Sequence, residues 1–194
     1  MAKTTPLTLD QLACFESPTR VAVYGALRSL GPSSIRELAS HVGTRPDALY
    51  YHMRRLVDSG LAATLENRER NGRKEAVFDI VGGPWEVEQL LPDPKFQAAA
   101  LRSMQGISRH AQRTFRKAVQ SLPSHPGNEE HIAFHWINAR LKPATIKRIL
   151  KKMNELILES MKMEEGEAER MMFFALASPI VGREKKRKSV KKKG

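Results

Sequence analysis

At 194 residues, with 33 Lys and Arg against 21 Asp and Glu, the chain carries a formal net charge of +12 and has length for one domain or two small ones. Its single cysteine, Cys14, rules out an internal disulfide framework and a multi-cysteine zinc site. No apolar run nears the roughly 20 residues that cross a bilayer, and "MAKTTPLTLDQLACFES" lacks the apolar core of a secretory signal, so a cytoplasmic protein without a membrane partner is expected.

The charge is unevenly placed. Residues 1–90 hold 11 basic and 11 acidic groups, residues 91–182 hold 14 and 9, and the last twelve, "REKKRKSVKKKG", hold 8 and 1. The high pI therefore owes more to the tail than to any helix, and local placement must carry an argument about nucleic acid.

In chain order, Leu9 to Phe15 suits a short helix and Pro18 to Leu30 a longer one, with Val21, Tyr24, Ala26 and Leu27 on its apolar side and Pro18 in its first turn. Gly31-Pro32 breaks it. "SIRE" places Ser34 as an N-cap and Glu37 three residues on, a capping box that opens a third helix to about Val42. Gly43 ends that helix and Pro46 starts the next, which gives helix-turn-helix spacing. In the fourth helix Leu49, Met53 and Leu56 recur at steps of four and three. Asp47, Tyr51 and Arg54 then fall roughly opposite, on a broad face rich in hydrogen-bond donors. After Gly60 the period changes. "LAATLE" and "KEAVFDIV" read as strands joined by "NRERNGR", where Asn71-Gly72 signals a tight turn. A hairpin directly after a helix-turn-helix is a wing, and its tip carries Arg68, Arg70, Arg73 and Lys74 against Glu69 and Glu75.

"VGGPWEVEQLLPDP" reads as a linker with a short helical turn. Lys95 to about Gln120 follows as a long helix, with a stripe of Phe96, Ala100, Met104, Ile107, Ala111, Phe115 and Ala118. "HIAFHWINARL" alternates at Ile132, Phe134 and Trp136 and is read as a strand. Pro143 opens another helix with a wide apolar face. "RMMFFALAS" is either a strand buried on both faces or a helix segment. His131 and His135, with Glu130 adjacent and His125 nearby, would pair around zinc on a helix, but on a strand they stand about 13 Å apart. No metal and no cofactor are expected. The tail is too charged to pack.

The fold class expected is mainly α with a small β component. A winged helix-turn-helix domain spans 1–90, a helical dimerisation and effector region with two short strands spans 91–182, and a disordered basic tail spans 183–194. The two long helices carry more apolar surface than a monomer would bury, so a homodimer is expected. A pocket of Met, Phe and Trp side chains there would suit a small-molecule effector of unidentified chemistry.

A helix-turn-helix reads DNA because a helix fits the major groove with its N-terminal turns nearest the base edges. Those turns offer Arg45, Pro46, Asp47, Ala48, Tyr50 and Tyr51. Arg45 can pair bidentately with guanine, Asp47 can accept from cytosine or hold Arg45, and the tyrosines can pack on thymine methyls or reach phosphate. Arg54 and Arg55 suit phosphates, which set register without reading sequence, and the wing arginines suit the adjacent minor groove or backbone. Ser34 and His52 complete the candidate set, although a cap explains Ser34 and packing explains His52 equally well.

"SSIRELASHVGTRPDALYYHMRRLVDSGLAA" resembles the winged-helix domain of ArsR-type transcriptional regulators and their metal-independent relatives. The "ELA..VG" helix, the "L.YH.R.L...GL" helix and the following hairpin carry the resemblance, over about residues 9–82. It implies a homodimeric repressor or activator that reads a palindromic operator. The family pattern has a small polar residue at the position of Arg45 and often a serine at that of Tyr50, so it carries over no base preference. Its metal-binding cysteine pair falls on Ser34 and Arg36, neither of which is a thiolate. The function expected is a sequence-specific transcriptional regulator with double-stranded DNA as partner. The alternative is a winged-helix interaction module, or a nucleic-acid-binding protein without operator specificity. No phosphate loop, activated nucleophile or spaced carboxylate pair suggests an enzyme.

Overall fold

The first three helices each begin where a side-chain oxygen meets the free N–H groups of the first turn. In the computed structural model, which describes residues 5–70, 72–82, 85–86, 91–124, 132–133, 139–160, 171–172 and 178, Thr8 caps α1 (Leu9–Cys14) in a capping box with Gln11. Ser17 caps α2 (Pro18–Leu30), whose first residue is proline. Ser34 and Glu37 form the capping box of α3 (Ile35–Val42). Gly43 then turns the chain with φ 74° and ψ 48°, a left-handed conformation that a Cβ would strain.

The next helix begins differently from the sequence expectation. Pro46–Ala48 forms one 3-10 turn, and α4 (Tyr50–Asp58) becomes α-helical only after Leu49. No side chain caps either start, and a tight first turn is how an uncapped helix closes its initial hydrogen bonds.

The first compact unit, Met1–Phe134, is built on one core. Leu12, Val23, Leu27, Leu38, Leu49, Met53, Leu56 and Leu61 are buried together in it. Each large side chain removed from water this way contributes about 1.5–3 kcal/mol relative to exposure. Cys14 is also buried. Its thiol lies 3.3 Å from Ser59 Oγ and 3.4 Å from the Arg55 carbonyl, which ties α1 to the end of α4 as a packed residue.

β2 (Ser33–Ser34), β3 (Ala62–Arg70) and β4 (Arg73–Ile80) form an antiparallel sheet in the order β2-β4-β3. The hairpin strands run further than expected. Pairing continues through Arg68 with Glu75 and Glu69 with Lys74 to Arg70 with Arg73, so most of "NRERNGR" is strand. Opposite charges face each other at the Arg68–Glu75 and Glu69–Lys74 positions, which favours that extension. A bulge between Thr64 and Glu66 leaves Leu65 facing solvent. A short parallel pair joins β1 (Thr5–Pro6) to β5 (Trp85–Glu86).

The helix α5 (Pro94–Ser121) is held by an unexpected face. Its buried residues are Ala99, Ser103, Gly106 and Ala111, whereas in the expected stripe of Phe96, Ala100, Met104, Ile107, Ala111, Phe115 and Ala118 the residues Phe96 and Ile107 are half-buried against the same core and Phe115 is exposed. Only Ala111 belongs to both sets. The two faces lie about 100° apart around the helix. The reason is close approach: a Cβ at Gly106 would overlap the Phe15 carbonyl oxygen and stand 2.7 Å from Glu16 backbone atoms. Ser103 Oγ donates to the Leu12 carbonyl at 2.6 Å, and Arg102 pairs with Glu16 at 2.7 Å. The compact unit therefore continues past residue 90, where composition suggested a boundary.

In the second unit, His135–Gly194, α6 (Pro143–Ser160) is amphipathic and has no buried residue. The runs read as strands at 131–141 and as strand or helix at 170–179 fall largely outside the described residues. So do His125, Glu130, His131 and His135, and the basic tail.

Candidate nucleic-acid interface

The outer flank of α4 is positioned by what its inner flank buries. Leu49, Met53 and Leu56 are fully enclosed, and the 3.6-residue period turns the intervening side chains outward. Tyr50 is 58% exposed and Tyr51 62%, high values for aromatic side chains. Arg45, Asp47, Ala48, Arg54 and Arg55 are exposed as well, and Pro46 is half-buried where the 3-10 turn meets α3. One continuous surface thus carries Arg45, Asp47, Tyr50, Tyr51 and Arg54. Among these residues only Tyr51 has a described side-chain contact, an edge-to-face packing on the His52 ring at 5.4 Å between centroids.

His52 stands at the border of that surface. Its Nδ1 is buried and has no hydrogen-bond partner. Burial, reinforced by the positive charge of Arg20, lowers the His52 pKa below the ordinary histidine value. Arg20 is fixed nearby because its guanidinium caps α1, donating from Nε to the Cys14 carbonyl at 2.6 Å and from Nη2 to the Ala13 carbonyl at 3.0 Å. The ring is thus a half-buried packing element whose surroundings favour the neutral form.

Ser34 lies elsewhere. It is 2% exposed, its hydroxyl accepts from the Glu37 N–H, and its own N–H donates to Glu37 Oε2 at 2.8 Å. The hydroxyl is used inside the protein and offers no free surface, so the cap accounts for this residue.

The hairpin stands beside α4. Tyr50 and Lys74 line one shallow crevice with Ile35, Arg36, Glu75 and Phe78, and Tyr50 and Arg54 line another with Met53, Val57, Thr64 and Phe78. Two ion pairs link the hairpin to α3: Arg68 with Glu37 at 3.6 Å and Arg36 with Glu75 at 3.5 Å. Sequence reasoning counted Arg68 as a tip charge and passed over Arg36 and Glu37 as its tether. The signal available was weak, since ion pairing across a fold leaves no spacing pattern. Lys74 is exposed, while Arg70 and Arg73 close the strand ladder and their side chains fall outside the described set.

The arrangement is therefore an exposed helix flank of arginine, tyrosine and aspartate, a basic hairpin tethered alongside, and a core that holds both. Such a flank can donate to base edges and phosphates. Residues 15–64 match the family model described as a helix-turn-helix domain, a DNA-binding module of transcription regulators. No curated protein matches the chain. Among the described residues no helix is long and apolar enough to cross a membrane.

Proposed function

We propose that this protein is a sequence-specific transcriptional regulator of the ArsR-like winged-helix type, acting as a homodimer on a palindromic operator. The reading places α4 in the major groove and the hairpin on the adjacent minor groove or backbone. The observation that carries it is the exposed flank of α4, from Arg45 to Arg54, beside a tethered basic hairpin within the segment that matches a helix-turn-helix model. Arg45, Asp47, Tyr50 and Tyr51 would meet base edges, and Arg54, Arg55, Lys74, Arg70 and Arg73 would meet phosphates. The homodimer draws support from α5, where Phe115 of the apolar stripe is exposed and, about 40° further round the helix, so are Leu101, at 68%, and Val119.

Selection of bound sequences from a random duplex pool tests the proposal. A regulator returns a two-fold symmetric site, preferred over random duplex by roughly a thousandfold or more. Arg45→Ala should then relax preference at one base pair per half-site, at a cost of about 1–3 kcal/mol, whereas Arg54→Ala should weaken all duplexes alike. A pool that returns no consensus while duplex binding persists would leave the non-specific alternative standing.

A further inference from the structure

The second half of α5 has a charge pattern that the helix-turn-helix reading does not use. Between Pro94 and Ser121 the helix holds six basic residues and no acidic one. Arg102 and Arg109 are committed to α1, the first to the Glu16 carboxylate at 2.7 Å and the second to the Glu16 carbonyl at 3.0 Å. Arg113, Arg116 and Lys117 are exposed and have no ion pair or hydrogen bond to any described residue. At 100° per residue these three fall within one arc of about 100°, on the side of the helix that carries Gly106. They thus share the face that seals on α1 further up the helix and lie away from the apolar stripe.

One contact locates Lys117, at the end of this arc. Lys117 Nζ lies 4.0 Å from where a Cβ on Gly43 would stand, so the end of α5 reaches the turn between α3 and α4. Arg45 follows two residues later. In a helix-turn-helix seated on DNA, that turn lies at the lip of the major groove, because the N-terminal end of the second helix is the end nearest the bases. Arg113 and Lys117 both lie near enough to His110 to lower its pKa, after the larger effect of burial. Three unpaired cations held together raise the local positive potential, and an anionic chain is the partner that relieves it.

We infer that Arg113, Arg116 and Lys117 form a second phosphate-binding surface, gripping the duplex backbone that flanks the groove entered by α4. The inference rests on reading the α4 flank as a duplex-DNA surface. It extends the protein's footprint outward from each half-site, by charge alone and without base preference.

The test compares full-length protein with a variant carrying Arg113→Gln, Arg116→Gln and Lys117→Gln. Affinity is measured on random-sequence duplexes of 16 and 40 base pairs across roughly 50 to 200 mM salt. Three lost phosphate contacts should make the log–log salt slope shallower by about 2.7, so that the wild-type advantage shrinks about 40-fold over that range. The loss should be larger on the longer duplex. A second variant, Arg113→Lys with Arg116→Lys, should keep the wild-type slope, which separates charge from helix damage. An unchanged slope in the glutamine variant, with wild-type binding intact, overturns the inference and leaves the α4 reading standing; an acidic protein partner would give that result. Failure of the wild-type protein to bind either duplex overturns both.

Discussion

Ser34 shows how one hydroxyl is claimed by the fold before any partner can use it. It opens the strand-to-helix junction, caps α3 and receives the Glu37 carboxylate on its own N–H. Ser34→Ala should lower stability by about 1 kcal/mol, read from chemical denaturation, and should leave base preference unchanged. His52 makes the complementary case. Its lowered pKa means that the folded chain resists the proton which the unfolded chain accepts near the ordinary value of about 6.5. The unfolded state therefore binds more protons just below that pH, so this contribution to stability is whole above about pH 6.5 and is lost as pH falls beneath it. The melting temperature of the wild-type protein should drop between pH 7.5 and 5. His52→Gln should flatten part of that drop, and His110, which is shifted in the same direction, should contribute to what remains. An identical pH profile in the variant would contradict the assignment. Both residues were visible in the sequence, but only burial tells which of their atoms meets water.

At the scale of elements, the four helices of the helix-turn-helix region were legible because their signals are local. N-caps, a capping box, Pro at a first turn and Gly with positive φ act within a few residues of chain. The helix α4 was legible for the same reason, since Leu49, Met53 and Leu56 mark its hidden edge wherever it docks. The docking face of α5 was not legible. Its conspicuous periodic residues are apolar, and Phe96 and Ile107 among them do meet the core, but the residues buried deepest are Ala99, Ser103 and Gly106 at steps of four and three. Small residues contribute little to a hydrophobic pattern, yet they alone allow one backbone to approach another. Gly106→Ala tests this directly. In an isolated helix the change is favourable by roughly 1 kcal/mol, but here the new methyl meets backbone atoms of Phe15 and Glu16. We expect a net loss of about 2 kcal/mol, measured by denaturant unfolding. A gain would mean that α5 and α1 separate without cost.

For the whole molecule, the proposed homodimer is the property that would turn one exposed helix into a reader of symmetric DNA. Beside the apolar stripe of α5, Leu101 and Val119 are exposed and stand eighteen residues apart in register, forming an uncovered apolar edge with Phe115. Size-exclusion chromatography with light scattering should give twice the mass of one 21.9 kDa chain at micromolar concentration. Leu101→Glu with Val119→Glu should shift it to the monomer and reduce affinity for a two-fold site far more than for a single half-site. A wild-type monomer at that concentration would remove the dimer from the proposal.

The sequence by itself determined the order of helices, the helix-turn-helix spacing, the hairpin that follows and the sidedness of α4. These depend on forces that act between near neighbours along the chain. Tertiary structure alone decided that Ser34 is enclosed, that Arg68 answers to Glu37, that Lys117 reaches the Gly43 turn and that α5 docks through its smallest residues. Those outcomes depend on distances between residues remote in sequence, and no periodicity in the chain encodes such a distance.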